Sequence, residues 1–110
     1  MEPISIIIAE DQHLVRKGLI ALMEEFPQLK IVSEANNGRE LLDLLKHQKP
    51  DIVLLDIEMP VMNGKEALML IRKRFPETKV IILSMHAESN YMSEVMERGA
   101  NAYLPKACDV

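Results

Sequence analysis

Cysteine is nearly absent. Cys108 is the only one among 110 residues, which excludes an internal disulfide framework and suits a reducing compartment. No apolar run approaches the ~18 residues a membrane span needs. Met1-Glu2-Pro3 opens the chain without the basic segment and long apolar stretch of a secretory signal. A cytoplasmic protein with no membrane attachment is therefore expected. Basic side chains are not in excess either: 13 against 17 acidic ones give a formal charge of −4, which argues against a nucleic-acid surface on this segment. The four glycines are scattered, and no glycine-rich phosphate loop ends in Gly-Lys-Ser/Thr. A dinucleotide fingerprint is missing as well, since Ala9-Glu10-Asp11-Gln12-His13 follows the first apolar run. Neither a low-complexity segment nor a linker interrupts the chain, so one domain is expected.

What the sequence does contain is an alternation. Short apolar runs at Ile4 to Ala9, Lys30 to Ala35, Ile52 to Asp56, Lys79 to Met85 and Ala102 to Leu104 are separated by stretches of helical period. Ile6-Ile7-Ile8, Ile52-Val53-Leu54-Leu55 and Val80-Ile81-Ile82-Leu83 are continuously apolar and largely β-branched, as strands covered on both faces are. The Lys30 run alternates instead and suits an edge strand. Leu14, Leu19, Leu22 and Met23 form a first helical stripe; others follow Gly38 and Gly64. A weaker fourth helix, about Ser89 to Arg98, is stopped by Gly99 in a C-cap position. Phe26-Pro27 and Phe75-Pro76 each lead through two residues to a lysine and a strand, and Lys49-Pro50-Asp51-Ile52 is a shorter version. Proline excludes the helical conformation for the residue before it and turns the chain into the sheet. Strands alternating with helices give βαβ units, hence a doubly wound α/β fold with a five-stranded parallel sheet.

Ligands of open α/β sheets bind at the carboxyl ends of the strands. Glu10 and Asp11 follow the first strand and Asp56 ends the third, with Glu58 two residues on. Ser84 ends the fourth, with Met85 and His86 next, and Lys106 follows the fifth within two residues. Converging carboxylates repel one another unless a hard divalent cation such as Mg²⁺ sits among them. A lysine and a hydroxyl on the same rim would bind the oxygens of an incoming phosphoryl group. An aspartate can be its acceptor, giving an acyl phosphate. Taken singly these residues are ordinary: Asp56 a turn residue, Glu10-Asp11 a cap for the first helix, Lys106 a surface lysine. Only together do they point to metal-assisted phosphoryl transfer centred on Asp56.

Glu10-Asp11, Asp56 with Met59-Pro60 and Asn63-Gly64, Ser84, Tyr103 and Lys106 together resemble the receiver domain of bacterial two-component response regulators. Leu83-Ser84-Met85-His86 and Ala102-Tyr103-Leu104-Pro105-Lys106 look like the LuxR-type (NarL/FixJ) subclass. The resemblance covers essentially the whole chain. It implies a flavodoxin-like sheet of order 2-1-3-4-5 and phosphorylation of Asp56 by a histidine kinase. Mg²⁺ would be held by Glu10, Asp11, Asp56 and the backbone carbonyl of Glu58. Lys106 would pair with phosphoryl oxygens, Ser84 would move to bond one of them, and Tyr103 would follow as the switch aromatic. Met85, His86 and Glu58 flank the site and would tune the lifetime of the acyl phosphate. Glu10 stands where many relatives have aspartate, and Ala107 where many have proline.

Four strand–helix units are followed by a fifth strand and only Pro105 to Val110. The alternation itself expects a fifth helix that does not fit there, so residues 1–110 are expected to be a receiver lacking its last helix. A helix-turn-helix output domain would follow in the native protein, and DNA would be a partner only through it. A homodimer on activation is expected. Tyr91, Met92, Val95 and Met96 read first as a packing stripe, with a partner surface as the alternative. Two competing functions remain: an adaptor that signals without phosphorylation, and a phosphotransferase or phosphatase acting on small molecules. The first has no use for the full set of polar groups, and the second lacks a cap segment over the rim.

Overall fold

The computed structural model describes residues 2–84 and 89–105. In chain order the elements are β1 (Ile4–Ala9), α1 (His13–Glu24), β2 (Leu29–Ala35), α2 (Gly38–Leu45), β3 (Ile52–Asp56), α3 (Gly64–Arg74), β4 (Lys79–Ser84), α4 (Ser89–Glu97) and β5 (Ala102–Pro105). The strands form one sheet in the order β2-β1-β3-β4-β5, every neighbouring pair parallel. The four helices among the described residues divide between its two faces. This is the doubly wound α/β architecture expected from the alternating pattern.

Side-chain alternation along the central strands explains why their sequences are apolar throughout. Ile7, Ala9, Val53, Leu55, Val80 and Ile82 point to one face, where they pack with Leu41, Leu42 and Leu45 of α2, Ala67, Leu68 and Ile71 of α3, and Val95 of α4. Ile6, Ile8, Leu54 and Leu83 point to the other, against Leu19, Ile20 and Met23 of α1. Each fully buried Ile or Leu contributes about 1.5–3 kcal/mol, so the first, larger cluster carries most of the stability. β2 alternates as an edge strand should: Lys30, Val32 and Glu34 are exposed, Leu29, Ile31 and Ser33 half-buried.

The two Phe-Pro exits do fold alike. Leu29 N–H donates to the Phe26 carbonyl at 3.0 Å and Thr78 N–H to that of Phe75 at 3.1 Å. α4 ends as Gly99 requires, at φ 108°. Gly99 N–H donates to Met96 O and Ala100 N–H to Val95 O, both at 3.1 Å, which is a Schellman closure. The apolar stripe of α1 departs from expectation. Leu19 and Met23 face the sheet, but Leu14 is 84% and Leu22 62% exposed. Arg16, the only buried residue of this helix, shares the inward face with Leu19, Ile20 and Met23. In α4, Val95 is buried while Met92 and Met96 are exposed, so the two methionines do not belong to the core.

Candidate functional site

The carboxyl edge of β1 and β3 is where strand order reverses, and the sequence places acids there. Glu10 follows β1 and is fully buried; Asp56 ends β3 and is 1% exposed. Asp11 beside them is exposed. One carboxylate oxygen from each of Glu10, Asp11 and Asp56 lies within 4.8 Å of the other two. At that range two ionised buried carboxylates repel by on the order of 3 kcal/mol even at an effective dielectric near 20. A hard divalent cation reverses the sign of that energy, and an all-oxygen donor set is what such a cation selects. The three residues therefore fit a metal site.

Local hydrogen bonds hold the acids in place. The Gln12 N–H donates to Glu10 Oε2 at 3.0 Å, and the Glu58 N–H to Asp56 Oδ1 at 3.3 Å. Gln12, not the acidic pair, is the N-cap residue of α1, and its side chain makes no capping hydrogen bond. Beyond Asp56 the chain turns sharply. Ile57 N–H donates to Leu83 O at 3.1 Å and Gly64 N–H to Ile57 O at 2.8 Å, so the loop folds back onto the start of α3. Asn63 caps that helix in a capping box with Glu66. Within the loop Met59 is buried, and Val61 has a positive φ of 68°.

Ser84 and Tyr103 sit on neighbouring strands of the same edge. Asp56 pairs with Leu83 in the β3–β4 register, which puts Ser84 one residue further out; it is fully buried. Tyr103 pairs with Ile82 and is half-buried against the larger core cluster. Lys106, Met85 and His86 lie outside the described residues. The structure thus brings Glu10, Asp11 and Asp56 together and aligns Ser84 with them along the sheet edge.

One participant was not anticipated from sequence. Arg16 is buried beside the acidic loop and donates from Nη1 to the Glu10 carbonyl at 2.9 Å. The available signal was its register with Leu19, Ile20 and Met23, which follow Arg16 at i+3, i+4 and i+7 on one helix face. The capping pair Asn63 and Glu66 was legible too, from its Asn-x-x-Glu spacing.

A doubly wound sheet with buried acids at the β1 and β3 ends defines an aspartate-centred site at the topological switch point. The comparisons with known proteins give it a family. The chain belongs to the response regulator receiver domain family, whose model matches residues 6–110. It is 43% identical over 103 residues to the transcriptional regulatory protein LnrK of Bacillus subtilis, covering 94% of this chain and 47% of that protein. A DNA-binding response regulator of the LuxR family from Staphylococcus aureus superposes with a TM-score of 0.87 at 34% identity, over 96% of this chain and 88% of that one. The signal receiver domain of the response regulator NarL from Mycobacterium tuberculosis superposes with a TM-score of 0.92 at 28% identity, over 99% and 88% of the two chains. The chain spans about half the length of the curated relatives it matches. No helix of the described residues is long and apolar enough to cross a membrane.

Proposed function

We propose that this chain is the phosphorylation switch of a cytoplasmic two-component regulator, with Asp56 as phosphoacceptor and Mg²⁺ as its metal. The observation that carries this reading is the convergence of Glu10, Asp11 and Asp56 oxygens within 4.8 Å on the edge of a receiver fold. Bound there, Mg²⁺ would neutralise the carboxylates and polarise a phosphoryl oxygen. Asp56 supplies the attacking oxygen. A P–O bond forms to the carboxylate as the P–N bond of a kinase phosphohistidine breaks, its electron pair leaving on the imidazole. The chain catalyses its own phosphorylation and dephosphorylation and turns over no other substrate.

Ser84 would donate its hydroxyl to one phosphoryl oxygen and Lys106 would pair with another, the Glu58 carbonyl completing the metal set. Drawing Ser84 toward the phosphoryl group vacates space into which Tyr103 turns, carrying the change to β5. Met85 and His86, the two residues that follow Ser84 in the chain, would set how long the acyl phosphate lasts. The likeness to LnrK and to a LuxR-family regulator supports an output of transcription control. A helix-turn-helix domain would bind DNA, and receivers would pair on activation.

Intact mass after incubation with Mg²⁺ and acetyl phosphate tests the reading. One added phosphoryl group, absent from Asp56→Asn and from an EDTA-treated sample, is expected. No adduct on folded protein would instead favour an adaptor that signals without phosphorylation.

A further inference from the structure

Metal sites depend on the groups that orient their ligands as much as on the ligands themselves. We propose that Arg16 is the positioning residue of the acidic loop, clamping the Glu10 backbone to the β2 edge and so setting affinity for the divalent cation. The proposal rests on the reading of Glu10, Asp11 and Asp56 as a metal site.

Arg16 is 6% exposed, and its guanidinium reaches back from the first turns of α1 to the residue that follows β1. Nη1 donates to the Glu10 carbonyl at 2.9 Å and to Asn36 Oδ1 at 2.6 Å, with Ala35 O at 3.5 Å. Nε lies 3.0 Å from Glu34 Oε1, out of line for a hydrogen bond. Nη2 is 3.0 Å from His13 Nδ1. Asn36 is itself fixed, its N–H and Nδ2 both donating to Glu40 Oε1 at 2.9 and 3.2 Å. The Glu10 N–H, for its part, donates to Ala35 O at 3.1 Å. Both peptide groups of Glu10 are thus tied to the β2–α2 junction. The carbonyl that Arg16 holds belongs to the peptide joining Glu10 to Asp11, so one contact orients both acids.

An apolar side chain would fill this place at lower desolvation cost, but would leave the Glu10 carbonyl without its donor. Lysine could not replace the guanidinium. Nη1 meets the Glu10 carbonyl and Asn36 Oδ1 while Nε and Nη2 face Glu34 and His13, and a single ammonium cannot reach all of these positions to be held in the same place. The role is positional, and its sign separates it from electrostatics. A cation beside a metal site repels the metal, so simple loss of charge would tighten Mg²⁺ binding, whereas loss of the clamp weakens it.

Isothermal titration of the protein with Mg²⁺, without phosphodonor, reads this directly, beside urea unfolding of the metal-free proteins. Arg16→Ala and Arg16→Lys are expected to weaken Mg²⁺ binding about tenfold or more, the range seen when a ligand-orienting group is removed. Asn36→Ala, at an exposed position, is expected to weaken it by less; should Arg16→Ala fail to fold, Arg16→Lys and Asn36→Ala carry the test. Unchanged or tighter binding by these variants in folded form would overturn the proposal, as would wild-type affinity in Arg16→Lys. Wild-type protein that shows no saturable binding sensitive to Asp11→Asn would overturn the metal reading itself, and the clamp with it.

Discussion

Gly64 lies so close to Asp56 that a side-chain carbon built on it would come within 2.5 Å of the Asp56 carbonyl oxygen, and equally near Ile57 Cα. The first residue of α3 therefore rests directly on the backbone that carries the proposed phosphoacceptor. Both obstacles are main chain and cannot swing aside. Gly64→Ala is expected to push α3 off the loop, break the 2.8 Å bond from Gly64 N–H to Ile57 O and cost about 1–3 kcal/mol. Gly18 supplies the contrast. Nothing lies within 4 Å of its virtual Cβ, so Gly18→Ala within α1 is expected to stabilise by roughly 1 kcal/mol. Urea unfolding of the two variants should move in opposite directions.

Val61 pulls the other way. It is a β-branched residue at φ 68°, 76% exposed, in the loop between Asp56 and α3. The left-handed region costs an ordinary L-residue about 1–2 kcal/mol, and no burial of Val61 offsets it. Asparagine tolerates that conformation, so Val61→Asn is expected to raise the urea midpoint with an unchanged slope. A fall in the midpoint would mean that the valine makes a compensating contact.

α4 is held to α3 by charge. Lys65 Nζ lies 2.8 Å from Glu94 Oε2, and Arg98 Nη2 3.3 Å from Glu94 Oε1. The Glu94 carboxyl is held below its ordinary range, first by the hydrogen bond from Lys65; desolvation opposes this, and the attraction of Lys65 and Arg98 adds to it. A depressed carboxyl stabilises the folded state above its unfolded value and ceases to do so as pH falls through the folded one. Attachment of α4 should therefore weaken on acidification below about pH 4.3, the ordinary glutamate value. An NMR titration of Glu94 should show its midpoint rising in Lys65→Met; an unmoved midpoint would refute the assignment to Lys65.

Much of this was open to view in the chain. Continuous β-branched runs identify strands covered on both faces because each successive side chain meets a different layer, and β1, β3 and β4 follow that rule to within a residue. The acids of the site were legible for a related reason: polar groups directly after such runs must emerge on one rim. Arg16 was not. Its burial depends on a carbonyl at the end of another strand, and no local periodicity encodes a contact of that kind. Leu14 and Leu22 misled because the face that α1 turns to the sheet carries Arg16, Leu19, Ile20 and Met23 instead.

Acyl phosphates are reduced by borohydride to the alcohol, so phosphorylated protein treated in this way records the acceptor as homoserine. Peptide mapping by mass spectrometry after Mg²⁺ and phosphodonor is therefore the most direct test. Homoserine at position 56, missing when Mg²⁺ is withheld, is the expected result. Homoserine at position 11 or 51 instead, or phosphate retained on Ser84 with position 56 unaltered, would contradict the assignment of Asp56.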